Sequence, residues 1–186
     1  MNLLKTRISQ TNLQVKQAMY NALLTLINEK PFSSISVSDI TSKAEVSRMA
    51  FYRNYQSMEE ILIERLNEIV EEYKIEEIKQ IETTRTTHQN IFYEKKYILH
   101  CFQFFYEHRK FINALIASGM GDLFLAKITK YLIQKWIDKE NDTRNEVLKI
   151  SAYAGSIYNM YREWSQGEFQ ESPEDVAEIL YDLIKG

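Results

Sequence analysis

The sequence predicts an all-α protein of about nine helices: an N-terminal three-helix domain with a helix-turn-helix, then a larger helical domain. Three observations predict it. The 186 residues include only 5 Gly and 2 Pro, which leaves little material for hairpins and tight turns. Apolar residues recur three and four apart along most of the chain, the spacing of one buried helix face. Serines stand repeatedly three residues before an acidic side chain, the pattern that opens a helix.

Taken in order, Val15, Ala18, Met19, Ala22, Leu23, Leu26 and Ile27 predict a first amphipathic helix from about Ser9 to Asn28, ended by Pro31. Ser36 with Asp39 predicts a capped second helix whose apolar positions are Val37, Ile40 and Ala44. Glu45-Val46 make the turn, and Ser47 caps a third helix reaching Tyr55. Ser57 opens a fourth, with Glu60 completing a capping box and Glu59 adding negative charge at the positive helix end. Ile61, Leu62, Leu66, Ile69, Val70 and Tyr73 form its buried stripe, and it continues to about Glu82.

Thr83–Asn90 is the most loop-like segment. Helices follow at Ile91–Tyr106, Arg109–Ser118, Asp122–Lys139, Asp142–Gln166 and Pro173–Ile184. Gly119 and Gly121 break the chain between two of them. Gly167 is the expected C′ glycine of another, and Ser172, Pro173 and Asp175 open the last. The predicted domains are residues 9–56 and 57–186, with residues 57–82 as a connecting helix.

The net charge of −3 is unevenly spread. Residues 1–57 sum to +4 and residues 58–186 to −7. A basic head on an acidic body suits a DNA reader joined to a part that does not touch DNA. Cys101 is the only cysteine, so no internal disulfide forms, and no apolar run reaches the length of a signal peptide or membrane span. A reducing cytoplasm and no membrane partner are expected.

Two short helices joined by a tight turn serve to seat the second of them in a DNA groove. At 100° per residue, Arg48, Met49, Tyr52 and Arg53 share an arc of about 140° on the third helix. Phe51 and Tyr55 fall on another face and anchor it. Arginine grips a guanine edge or a phosphate with two parallel bonds, and tyrosine and serine hydroxyls reach phosphate oxygens. The candidate DNA-binding residues are Ser36, Ser47, Arg48, Met49, Tyr52, Arg53 and Asn54.

The segment resembles the DNA-binding domain of tetracycline-repressor-type (TetR/AcrR) transcriptional regulators. The family's pattern is met by Ser36, Asp39, Ile40, Ala44, Val46, Ser47, Phe51, Tyr52, Tyr55, Glu60 and Leu62. Three positions depart from it: Glu45 replaces the turn glycine, Asn54 the usual histidine, and Met58 the usual lysine of the fourth helix. These shift the expected DNA affinity toward Arg48, Arg53, Tyr52 and the first-helix lysines. The resemblance implies a homodimer on double-stranded DNA with a palindromic operator, repression relieved by a small-molecule effector, and no catalysis. An activator, or a ligand-binding or protein-interaction module whose motif has lost DNA, are the alternatives.

Nothing after Leu66 carries a catalytic signature. His88, His100 and His108 lack metal-ligand spacing, and no metal or cofactor is expected. Phe102, Phe105, Tyr106, Met120, Phe124 and Tyr131 belong to an aromatic-rich region that reads either as core or as the lining of a pocket for a mostly apolar ligand. The segment Val147–Trp164 is apolar on two sides, so it needs cover on both. The resemblance implies that the last two helices build a dimer interface, here with Tyr153, Ser156, Met160, Trp164, Ile179 and Leu183.

Overall fold

A computed structural model describes residues 2–82, 94–137 and 144–185. The described residues form nine α-helices and one 3-10 turn. They are α1 (Asn2–Glu29), α2 (Val37–Lys43), α3 (Arg48–Asn54), α4 (Met58–Glu82), α5 (Lys95–Glu107), α6 (Arg109–Ala117), α7 (Gly121–Trp136), α8 (Arg144–Gln166) and α9 (Pro173–Lys185). The expected loop at Thr83–Asn90, and the expected helix ends at Ile91, Lys139 and Asp142, lie outside the described residues.

The chain divides into two compact units, Met1–Glu71 with Ala114–Gly119, and Glu72–Asn113 with Met120–Gly186. In the first, α1, α2 and α3 pack on one another. Met19, Leu23, Ile40, Phe51, Ile61, Leu62 and Leu66 are fully buried, each on the stripe its helix periodicity assigns. In the second unit, α5 packs along α9 and α7 along α8. Ile98, Phe102, Phe104, Tyr161 and Leu180 form its centre.

Helix ends follow local chemistry. Ser36 Oγ accepts the Asp39 amide while Asp39 accepts the Ser36 amide, a complete capping box. Ser172 and Asp175 repeat it at α9. At α4 the box is shifted: the Glu60 carboxylate accepts the amide of Gln56 at 2.7 Å, one residue earlier than Ser57.

Gly167 is not the left-handed residue that closes α8. That position is Glu168 (φ 57°), followed by Phe169 (φ 57°). The Phe169 amide donates to Trp164 O at 2.9 Å and the Glu168 amide to Ser165 O at 3.2 Å, the paired bonds of a Schellman turn. The Phe169 ring stands edge-on to Trp164 at 5.0 Å and also meets Tyr106 and Tyr161. This packing offsets the cost of holding two side-chain-bearing residues at positive φ.

Candidate nucleic-acid interface

Helix α3 begins at Ser47, whose Oγ accepts the Ala50 amide at 3.1 Å. The turn before it is a second Schellman closure: Val46 N donates to Thr41 O at 3.0 Å and Glu45 N to Ser42 O at 3.3 Å. Glu45 therefore takes φ 54°, the conformation that a glycine adopts without strain.

Two aromatic side chains fix α3 from behind. Phe51 is fully buried and Tyr55 nearly so. The Tyr55 hydroxyl donates to Glu64 Oε2 at 2.5 Å, and the Lys16 ammonium donates to Glu64 Oε1 at 2.5 Å. Burial alone would raise the Glu64 carboxyl, but these two donors outweigh it and hold it below its usual value. Burial, then the adjacent carboxylate, push the Tyr55 phenol upward.

The opposite side of α3 is open. Met49 is 75% exposed and Tyr52 59%, and Arg48 and Arg53 are exposed beside them. An Nη2–H of Arg48 donates to Ser38 Oγ at 2.9 Å, across the turn on α2. Asn54 is half-buried and donates back to Ala50 O at 2.8 Å, so its amide group serves its own helix. The Ser36 hydroxyl donates to Asp39 at 2.8 Å as well as capping α2, so its proton is already committed.

Lys16, Lys30 and Lys43 behave differently from Arg48 and Arg53. Lys16 pairs with Glu64, Lys30 with Asp39 at 2.8 Å, and Lys43 with Glu29 at 2.6 Å. Of the first-helix lysines expected to add to DNA affinity, Lys16 is held by a carboxylate of α4. Lys30 Nζ, with the Ser36 amide and hydroxyl, keeps the Asp39 carboxyl low, at about 2.

A basic, aromatic-backed helix, presented by a capped partner across a tight turn, is built to enter a nucleic-acid groove. Residues 20–64 match the model described as "Bacterial regulatory proteins, tetR family". Residues 94–186 match "Transcriptional regulator C-terminal region", the TetR_C_8 model, which spans half of the chain. The chain belongs to the TetR family of transcriptional regulators. TetR-family proteins are DNA-binding regulators and not enzymes, so this regulator reads DNA through its helix-turn-helix. Its fold is similar to the crystal structure of a TetR transcriptional regulator from Streptococcus agalactiae 2603V, with a TM-score of 0.65 and 20% identity over 97% of this chain and 98% of that one. No curated protein matches the sequence.

In the second unit of this TetR-family regulator, Phe102, Phe105 and Phe124 are buried among other rings. Phe105 lies 5.3 Å from Phe124 and 5.7 Å from Tyr161, and Phe102 6.0 Å from Trp164. They make ring-on-ring core contacts. Tyr106 is half-buried against Trp164, and Met120 stands half-buried just before α7. Tyr131 belongs to a polar cluster that the sequence reading missed. Its hydroxyl and the Lys135 ammonium both donate to Glu77, a carboxylate only 4% exposed. Burial, then Glu77, raise the Tyr131 phenol. The α4 stripe runs Ile69, Tyr73, Glu77 in steps of four, so its spacing already pointed inward.

Of the residues assigned to a dimer interface, Ile179 (57%) and Leu183 (68%) are exposed. Tyr153, Ser156 and Met160 are half-buried. Trp164 is buried, its Nε1–H donating to Glu171 O at 3.0 Å, so most of its ring serves the core of its own unit. Two shallow grooves run along α8 and α9. One, about 310 Å³, is lined by Tyr153, Ser156 and Leu183 among others, and a second, about 350 Å³, by Met160, Trp164 and Ile179. No described helix is long and apolar enough to cross a membrane, and no metal-ligating cluster occurs among the described residues.

Proposed function

We propose that this regulator is a homodimeric repressor that sets one α3 into each of two successive major grooves of a palindromic operator, and that a small-molecule effector releases it. The observation that carries the reading is the two-sidedness of α3. Arg48, Met49, Tyr52 and Arg53 face solvent while Phe51 and Tyr55 are anchored inside. Two-fold symmetry of the protein then requires a two-fold operator.

The exposed Ile179 and Leu183 and the grooves beside them support pairing of two copies through α8 and α9. Helix α4 belongs to both compact units, Met58–Glu71 to the first and Glu72–Glu82 to the second. An effector that binds the second unit with different affinity in two states biases α4, and through it the spacing of the two recognition helices. The protein then acts where the DNA is, in the cytoplasm.

The test is duplex binding by Arg48→Ala and Arg53→Ala. Each is expected to lose about 1–3 kcal/mol of operator affinity with the dimer intact. Unchanged affinity in both variants would remove the role given to this face.

A further inference from the structure

Within the reading that α3 faces DNA, the two arginines of that face are not equivalent, and the difference lies in one serine on the neighbouring helix. Arg48 is the first residue of α3, and an Nη2–H of its guanidinium is held by Ser38 Oγ at 2.9 Å. Ser38 is the second residue of α2, exposed, and ten residues earlier in the chain. Arg53, in the last turn of α3, is exposed with no hydrogen bond or ion pair to it among the described residues. We propose that Ser38 is a positioning residue for sequence reading: it fixes the Arg48 guanidinium for a base edge, while Arg53 remains a mobile phosphate contact.

The chemistry follows from donor geometry. A guanidinium has five N–H donors in one rigid plane, and a guanine edge offers two acceptors that need two of them side by side. One donor given to Ser38 fixes the orientation of that plane and leaves four N–H groups for DNA. An arginine whose plane is set before binding loses less freedom on docking, and it presents its paired donors to one base position instead of several. A guanidinium without such a tether adapts to the nearest phosphate, which adds affinity without sequence information. The Ser38 hydroxyl is suited to the role because it accepts from Arg48 while its own proton stays available for a neighbouring acceptor.

The experiment selects bound duplexes from a random-sequence library with the full-length wild-type protein, Ser38→Ala, Ser38→Thr, Arg48→Ala and Arg53→Ala. Affinity for the wild-type optimum is then measured across salt concentrations. Wild type is expected to show a guanine preference at one position of each half-site, and Arg48→Ala to erase it. Ser38→Ala should weaken that preference by about three- to tenfold with the salt slope unchanged, and Ser38→Thr should restore it. Arg53→Ala should leave the preference and lower the salt slope by about one.

Alanine is the better helix former at an exposed site, so Ser38→Ala keeps the fold. If Ser38→Ala retains the full preference while Arg48→Ala loses it, the positioning role is wrong and the base-reading face stands. If Arg48→Ala retains it as well, the assignment of Arg48 to a base edge falls with it.

Discussion

Glu64 binds Tyr55 and Lys16 through opposite oxygens of one carboxylate, so a single α4 side chain holds both the end of α3 and the middle of α1. Removing one arm and removing the hub should therefore differ. Tyr55→Phe keeps the packed ring and loses one charge-assisted hydrogen bond on a partly exposed group, a cost of about 1 kcal/mol. Glu64→Ala leaves both donors without their acceptor and is expected to cost about 2–3 kcal/mol. Urea unfolding of the two variants measures this. Equal midpoints would show that the carboxylate is not shared.

Asp39 is expected to contribute to the acid response of the head, alongside Glu64. Its carboxyl drops from 3.8 to about 2 through Lys30 and the Ser36 capping groups. A depressed carboxyl contributes stability that is whole above its unfolded value and vanishes as pH falls through the folded one. The contribution should thus be complete above about pH 4 and gone below about pH 2. Asp39→Asn should flatten the pH dependence of stability in that window. A carboxyl titration by NMR with a midpoint near 4 would contradict the cap and ion pair.

Glu45→Gly should stabilise the helix-turn-helix by up to about 1 kcal/mol. Glycine removes the steric cost of φ 54°, and part of that gain is returned as chain entropy. Glu168→Gly should behave likewise at the end of α8, where φ is 57°. Thermal unfolding reads both. A destabilised Glu45→Gly would mean that its side chain makes a contact worth more than the backbone strain.

Leu183→Glu is expected to shift the protein to a monomer. The side chain is 68% exposed, so its own unit should lose no more than about 0.5 kcal/mol. A charge placed in an apolar contact between copies is left desolvated and unpaired. Sedimentation velocity separates the outcomes, and an unchanged dimer would move the interface elsewhere.

Glu77→Ala removes the acceptor shared by Tyr131 and Lys135 and leaves a largely buried ammonium, at a cost of about 2–4 kcal/mol. Glu77→Leu with Lys135→Met replaces the pair by apolar volume and should recover most of the loss. If the double variant is no better than the single one, the cluster holds more than a charge pair.

What the sequence made legible was local. The boxes at Ser36–Asp39 and Ser172–Asp175, the Ser47 cap and the buried stripes of α1 and α4 all depend on residues within a turn or two of one another. Contacts across elements were harder to read. Ser38 reaches Arg48 only because the turn at Glu45 folds α2 toward α3, and neither residue signals the other. Glu77 was passed over because its type outweighed its spacing. The end of α8 at Gln166 was legible, but Gly167 pointed to the left-handed position one residue early, since glycine preference is a weaker signal than the ring contact between Phe169 and Trp164. The aromatic region was legible as aromatic, but only coordinates separate the packed rings of Phe105 and Phe124 from the polar setting of Tyr131.

Two left-handed turns, at Glu45 and Glu168, carry glutamate where glycine would be easier, and a glutamate codon becomes a glycine codon by changing its middle base. The gene thus stands one point mutation from a sturdier head and another from a sturdier body. A lineage that acquires a damaging change in either core has a compensating step within immediate reach, without touching Arg48, Arg53 or any other side chain on the outer face of α3.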